Sequence, residues 1–165
     1  HREVVEVTIA QTLLLYPRLV NEAVKVASVS VFRAKPPEAE YVFFQDVIGR
    51  LPFRYILYLP VSKMDAIGRA MASGGAVSIE GMYLDAVCEF VNIVVGNACA
   101  RLAGGAGELH VRPPLVRKAS EVPAVADDMA RVELTTPTGD FELVLLFGPP
   151  GGPAEPTGTE PGALR

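Results

Sequence analysis

The chain has 165 residues, half of them apolar, and a formal net charge of −4. That length suits one ordinary domain with a real core, and a mildly acidic chain without a Lys/Arg-rich run has no footprint for nucleic acid. No run approaches the roughly 18 to 20 uninterrupted apolar residues of a membrane span, and the start lacks the order of a signal peptide. The chain therefore reads as soluble and cytoplasmic, with neither nucleic acid nor membrane as a partner.

In chain order, the apolar segment 2–27 carries Pro17. Proline is best tolerated in the first helical turn, so a helix is expected over 17–27, and 4–15 either continues it upstream or is partly extended. From Ser28 the texture changes. Val29-Ser30-Val31-Phe32 alternates, while 41–48 and 53–59 are rich in aromatic and β-branched residues. Pro36-Pro37 and the Gly-Arg-Leu-Pro run at 49–52 punctuate these segments, which predicts a three-stranded antiparallel meander.

A short helix follows, with Ser62 as N-cap and an end near Ser73-Gly74-Gly75. Residues 78–102 form the longest helical pattern, with Ser78 as candidate N-cap and Gly104-Gly105 as stop. Next comes a strand over 108–112, stopped by Pro113-Pro114, and then strands over 129–135 and 141–147 joined by a Pro-Thr-Gly-Asp turn.

The order helix, three strands, helices, three strands predicts an α+β fold: a two-layer arrangement in which a six-stranded, mainly antiparallel sheet packs against two long helices, with the halves duplicated about a pseudo-twofold. Residues 1–147 are assigned to that single domain. Residues 148–165 form a Gly/Pro-rich C-terminal tail that cannot bury enough apolar surface to offset its ordering entropy.

At 100° per residue, Leu84, Val87, Cys88, Val91, Val94, Val95, Ala98, Cys99 and Leu102 share one apolar arc of the long helix, which should pack on the sheet. Asp85, Glu89, Asn92 and Gly96, spaced by four, three and four, stack into a polar stripe along the edge of that arc. Gly96 lowers helix stability by about 1 kcal/mol relative to alanine, which invites a reason such as close approach by another backbone. Phe90 and Ile93 point away from the arc, toward a second packed element or a protein contact.

Cys88 and Cys99 lie about 16 Å apart along the helix, beyond the roughly 7 Å that a disulfide spans, and have no companion at zinc spacing, so they read as small core residues. His110 falls in an alternating strand, where a structural role is expected. Gly104-Gly105-Ala106-Gly107 lacks the Lys-Ser/Thr of a phosphate loop, and no Gly-x-Ser-x-Gly elbow exists.

The stretch Asp85-Ala86-Val87-Cys88-Glu89-Phe90-Val91-Asn92, followed by Gly96 and by Pro113-Pro114 just after the next strand, resembles the signature of the CheC/CheX/FliY family of chemotaxis phosphatases. In that family an Asp or Ser precedes a Glu by four, the Glu precedes an Asn by three, and a Pro follows about one strand later. The resemblance spans roughly 29–147 and is strongest over 53–116. CheC-type members carry a second Glu/Asn pair on the first helix, and 17–27 has none, so the CheX branch is the nearer likeness.

The resemblance implies a phosphatase that hydrolyses the aspartyl-phosphate of a CheY-like response regulator. Glu89 and Asn92 are then the catalytic pair: Asn92 orients the attacking water, and Glu89 pairs with a lysine of the docked regulator. Asp85, Gly96, Ile93, Pro113 and Pro114 would form the docking face. No metal or cofactor is expected on this chain, Mg²⁺ being held by the regulator, and a homodimer is expected. The rival reading is a non-catalytic homodimeric adaptor that binds a receiver domain or a flagellar or receptor-array protein through the same helix.

Overall fold

The computed structural model describes residues 1–31, 39–71, 80–103, 109–121 and 129–148. Pro36-Pro37, Ser73-Gly74-Gly75, Ser78, Gly104 to Gly107 and the tail from 149 onward lie outside the described residues.

The first helix, α1, runs Arg2–Val20, and Asn21 in the left-handed region (φ 57°) ends it by donating its N–H to the Pro17 carbonyl at 3.0 Å. The helix expected over 17–27 is thus displaced upstream. Pro17 sits in the last turn, and Lys25–Ser30 is a strand, β1. The buried stripe of α1 is Val4, Thr8, Gln11, Thr12, Tyr16 and Val20. Three of these six are polar, which blurs the apolar rhythm that would have revealed the helix.

Strands β2 (Tyr41–Gly49) and β3 (Phe53–Leu59) form the expected hairpin, in register from Tyr41–Leu59 to Val47–Phe53. Helix α2 is Val61–Met71. It opens on the Pro60 carbonyl, which accepts from the backbone of Lys63 at 2.9 Å and Met64 at 3.1 Å, so Ser62 lies inside the first turn and not at the cap. Helix α3 is Glu80–Leu102, followed by β4 (Leu109–Val111), β5 (Leu115–Lys118), β6 (Met129–Thr136) and β7 (Gly139–Phe147). Gly139, at φ 130°, closes the turn between the last two strands.

All pairings are antiparallel, in the order β1-β6-β7-β3-β2-β4, with β5 also on β2. β4 pairs with Val47 to Gly49 and β5 with Tyr41 to Phe44, so both run along one edge of β2. The sheet thus has the six expected positions, the last split in two by Pro113-Pro114, whose missing N–H groups interrupt the ladder.

The three-stranded meander is corrected. β1 leaves β2 and pairs with β6 at the far edge, just as β4 and β5 of the second half pair with β2 of the first. Exchange of these outer strands maps the order onto itself about the β3–β7 seam, the pseudo-twofold of the duplicated halves.

α1 and α3 pack on one another over one face of the sheet, and α2 packs on α3. A methyl group at Gly68 of α2 would fall 2.3 Å from the Tyr83 ring, so only glycine permits that approach. The main core gathers Phe43, Val47, Tyr55, Leu57, Leu143 and Leu145 of the sheet with Val87, Val91, Val94 and Val95 of α3. Phe90, expected to point outward, is fully buried and meets the edge of Tyr16 of α1 at 5.9 Å. The second packed element is therefore α1. By length and composition, Tyr83–Leu102 is apolar enough to cross a membrane. Here it is a core helix with one charged edge.

Candidate functional site

One exposed edge of α3 carries the polar stripe. Asp85, Glu89 and Asn92 are all exposed, and successive members of such a stripe lie about 5 to 6 Å apart at their Cβ atoms. Gly96 continues it, and nothing in the described chain comes within 4 Å of where its Cβ would be. Among the described residues, no backbone therefore accounts for this mid-helix glycine. Ile93 is half-buried beside the stripe.

One inward contact distinguishes Asn92 from the two acids. Gln45 of β2, 1% exposed, donates from Nε2 to Asn92 Oδ1 at 2.9 Å and to the backbone carbonyl of Arg112 at 2.8 Å. The sheet delivers both partners. Arg112 continues the β4 pairing by donating its N–H to the Asp46 carbonyl at 2.9 Å, and Pro113 then turns the chain away. One buried amide thus links Asn92 to Arg112, the residue that precedes Pro113-Pro114; Pro113 and Leu115 are exposed and Pro114 is half-buried.

Gln45 was missed by sequence reasoning. Its signal was a lone amide at an inward position between Phe43 and Val47, on the apolar face of β2. Its Oε1 is buried with no hydrogen-bond partner among the described residues, as is the hydroxyl of Tyr55 directly across the ladder. An unpaired buried acceptor costs on the order of 1 to 3 kcal/mol, set against the two hydrogen bonds that the same side chain donates from Nε2.

Burial and the neighbouring Asp85 carboxylate push the Cys88 thiol up, and burial raises Cys99 to about 11. Neither is a thiolate near neutral pH, in keeping with their reading as core residues. His110 sits exposed on β4, opposite Ile48. Among the described residues, no group of three or more His, Cys, Asp or Glu is arranged to hold a metal ion.

A second polar cluster lies elsewhere, where the end of α1, the start of α2 and the β6–β7 turn meet. Lys63 is fully buried and pairs with Glu22 at 3.0 Å. Its ammonium also donates to the hydroxyls of Thr136 and Thr138. Glu22 accepts further from the Tyr16 hydroxyl at 2.7 Å and from the backbone N–H of Thr138 at 2.9 Å. Burial pushes the Glu22 carboxyl up, but the hydrogen bonds from Thr138, Tyr16, Lys63 and Thr136 together outweigh it and hold the group at about 2.

The family model described as chemotaxis phosphatase CheX matches residues 42–136, a span that contains the α3 stripe, Gln45 and Pro113-Pro114. Among solved structures, the chain is similar to the chemotaxis protein CheX of Desulfovibrio desulfuricans, with a TM-score of 0.76 at 15% identity, covering 88% of this chain and 99% of that one. A CheC-like superfamily protein from Shewanella sp. PV-4 gives 0.77 at 14% identity, over 90% and 99% of the two chains. The CheX–CheY–BeF₃–Mg²⁺ complex from Borrelia burgdorferi gives 0.67 at 10% identity, over 87% and 96%. No curated protein matches the chain in sequence.

Proposed function

The chain belongs to the CheX family of chemotaxis phosphatases, and from that membership we propose that the α3 stripe is where it hydrolyses the aspartyl-phosphate of a CheY-like response regulator. An aspartyl-phosphate is a mixed anhydride and already reactive. Its catalyst needs mainly to hold water in line with phosphorus and to steady the developing charge. Attack forms a new bond from water oxygen to phosphorus as the bond to the aspartate oxygen breaks. The regulator regains its carboxylate, inorganic phosphate leaves, and the proton passes to phosphate or solvent.

Asn92 supplies the positioned amide, which acts without titrating. Positioning of this kind can supply as much as about 7 to 11 kcal/mol. Glu89, one turn away and fully in solvent reach, is available to pair with a lysine of the docked regulator. Asp85, Ile93 and Gly96 extend the docking face, and so do Pro113 and Pro114. The single observation that carries this reading is the tether from Asn92 through Gln45 to Arg112: an exposed amide held from beneath by a buried one.

Mg²⁺ belongs, in this reading, to the regulator's own acidic pocket, and the chain works as a cytoplasmic homodimer. Residues 1–147 act as the single catalytic domain, with 148–165 as its tail. The test is phosphate release from a phosphorylated CheY receiver with and without this protein. Acceleration is expected. Binding without acceleration would replace the phosphatase with the non-catalytic adaptor.

A further inference from the structure

We infer that Gln45 is a positioning residue that sets the direction of the Asn92 amide, turning its Oδ1 inward and presenting its N–H donors to the docked regulator. The inference deepens the proposed function and rests on it for its catalytic consequence, but the orientation itself stands on geometry alone.

The Arg112 carbonyl can only accept. Whatever faces it at 2.8 Å must donate, and the Gln45 amide therefore turns its nitrogen there. The second hydrogen of that nitrogen is directed at Asn92 at 2.9 Å, and it requires an acceptor. Asn92 meets it with Oδ1, which leaves Nδ2 and both its hydrogens on the exposed side. The alternative, with both amides reversed, would set Gln45 Oε1 against the Arg112 carbonyl oxygen, two acceptors at hydrogen-bond distance. A backbone carbonyl two elements away thus decides which atom of Asn92 meets the partner.

Pro113 has a place in the same device. Arg112 is the last residue of the β4 edge to pair with β2, and Pro113 has no N–H with which to extend the ladder. The Arg112 carbonyl is released from strand pairing and turned to the Gln45 side chain. Outward N–H groups suit a phosphoryl oxygen or the lone pair of a water poised beside it, both of which accept.

Gln45→Met keeps the length and packing but cannot donate, and its sulfur accepts only weakly. Two readouts separate the possibilities. The first is NMR on the Asn92 side-chain amide of the wild type and the variant, which needs no regulator. The wild-type amide is expected to be ordered, with a nuclear Overhauser contact to the Gln45 amide, and the variant amide to become mobile. An Asn92 amide that is averaged in the wild type, where folding of the variant is not at issue, overturns the inference. The second is dephosphorylation kinetics with a CheY receiver, together with binding of the same receiver loaded with beryllofluoride and Mg²⁺. The variant is expected to lose roughly tenfold or more in kcat, with KM and beryllofluoride-receiver binding within about twofold of wild type. Unchanged kcat, or turnover and binding lost in step, overturns the positioning role. A wild type that binds but does not accelerate would sink the phosphatase reading, while the Asn92 amide would still report the orientation.

Discussion

Among the described residues, the Glu22–Lys63 and Gln45–Asn92 clusters both carry polar groups into the core, and they differ in how they end. The Glu22–Lys63 cluster closes on itself: its ammonium is fully buried, its carboxylate has bonds from three directions, and its members come from α1, α2 and the β6–β7 turn. The Gln45–Asn92 cluster starts in the core, at a buried amide with one oxygen unpaired, and ends in solvent. A closed network fixes elements relative to one another. An open one delivers a rigid polar group to a surface, where something else must complete it.

The sharpest way to break this contrast is to remove Glu22 from the closed cluster and Glu89 from the exposed stripe on which the open cluster ends. Glu22→Ala leaves Lys63 charged, buried and unpaired, and should cost about 3 to 5 kcal/mol of stability, read by chemical denaturation, with turnover per folded molecule unchanged. Glu89→Ala should leave stability alone and weaken regulator binding by on the order of 2 kcal/mol, measured by titration with a beryllofluoride-loaded receiver, if its lysine pair is buried on docking. If Glu89→Ala unfolds the protein or Glu22→Ala spares it, the division between closed and open clusters fails.

Gly96→Ala sharpens the comparison with a smaller effect. Among the described residues, no atom beyond its own helix turns lies within 4 Å of the added methyl group, so the helix should gain up to about 1 kcal/mol while regulator binding weakens. Gain in stability with binding intact would remove Gly96 from the docking face. Acid should act on the closed cluster alone. The Glu22 carboxyl is held at about 2 against an ordinary 4.5, so its contribution is complete above about pH 4.5 and is lost as pH falls from there toward 2. Glu22→Ala should flatten that part of a stability–pH profile.

The same contrast explains what the sequence made legible. β2, β3, β6, β7 and α3 announce themselves by aromatic and β-branched runs or by a long 3.6-residue rhythm, and each lies near its expected place. α1 did not, because its buried stripe holds Thr8, Gln11 and Thr12, and because Pro17 reads as a helix start when it occupies the last turn. The pairing of β1 with β6 was hidden for another reason: local pattern carries no information on which distant edge a strand will join.

Helical spacing shows Asp85, Glu89 and Asn92 as a polar edge, and they are exposed; that the edge is a candidate site came from the resemblance to the CheC/CheX/FliY signature. Gln45 was invisible as a site residue because its partner lies 47 positions away, and nothing in a single strand shows what a buried amide will hold. For Phe90 the spacing left open a second packed element or a protein contact, and α1 is that element, a choice that only the tertiary packing reveals.

The central claim is that Asn92 acts on the phosphoryl group and not on the fold. It is tested most directly by phosphate release from a phosphorylated CheY receiver with wild-type protein and with Asn92→Ala, alongside binding of the beryllofluoride-loaded receiver to each. The account predicts a loss of roughly 10²- to 10³-fold in turnover, the usual consequence of deleting one preorganised polar group, with unfolding and binding close to wild type. Wild-type turnover in Asn92→Ala would contradict it.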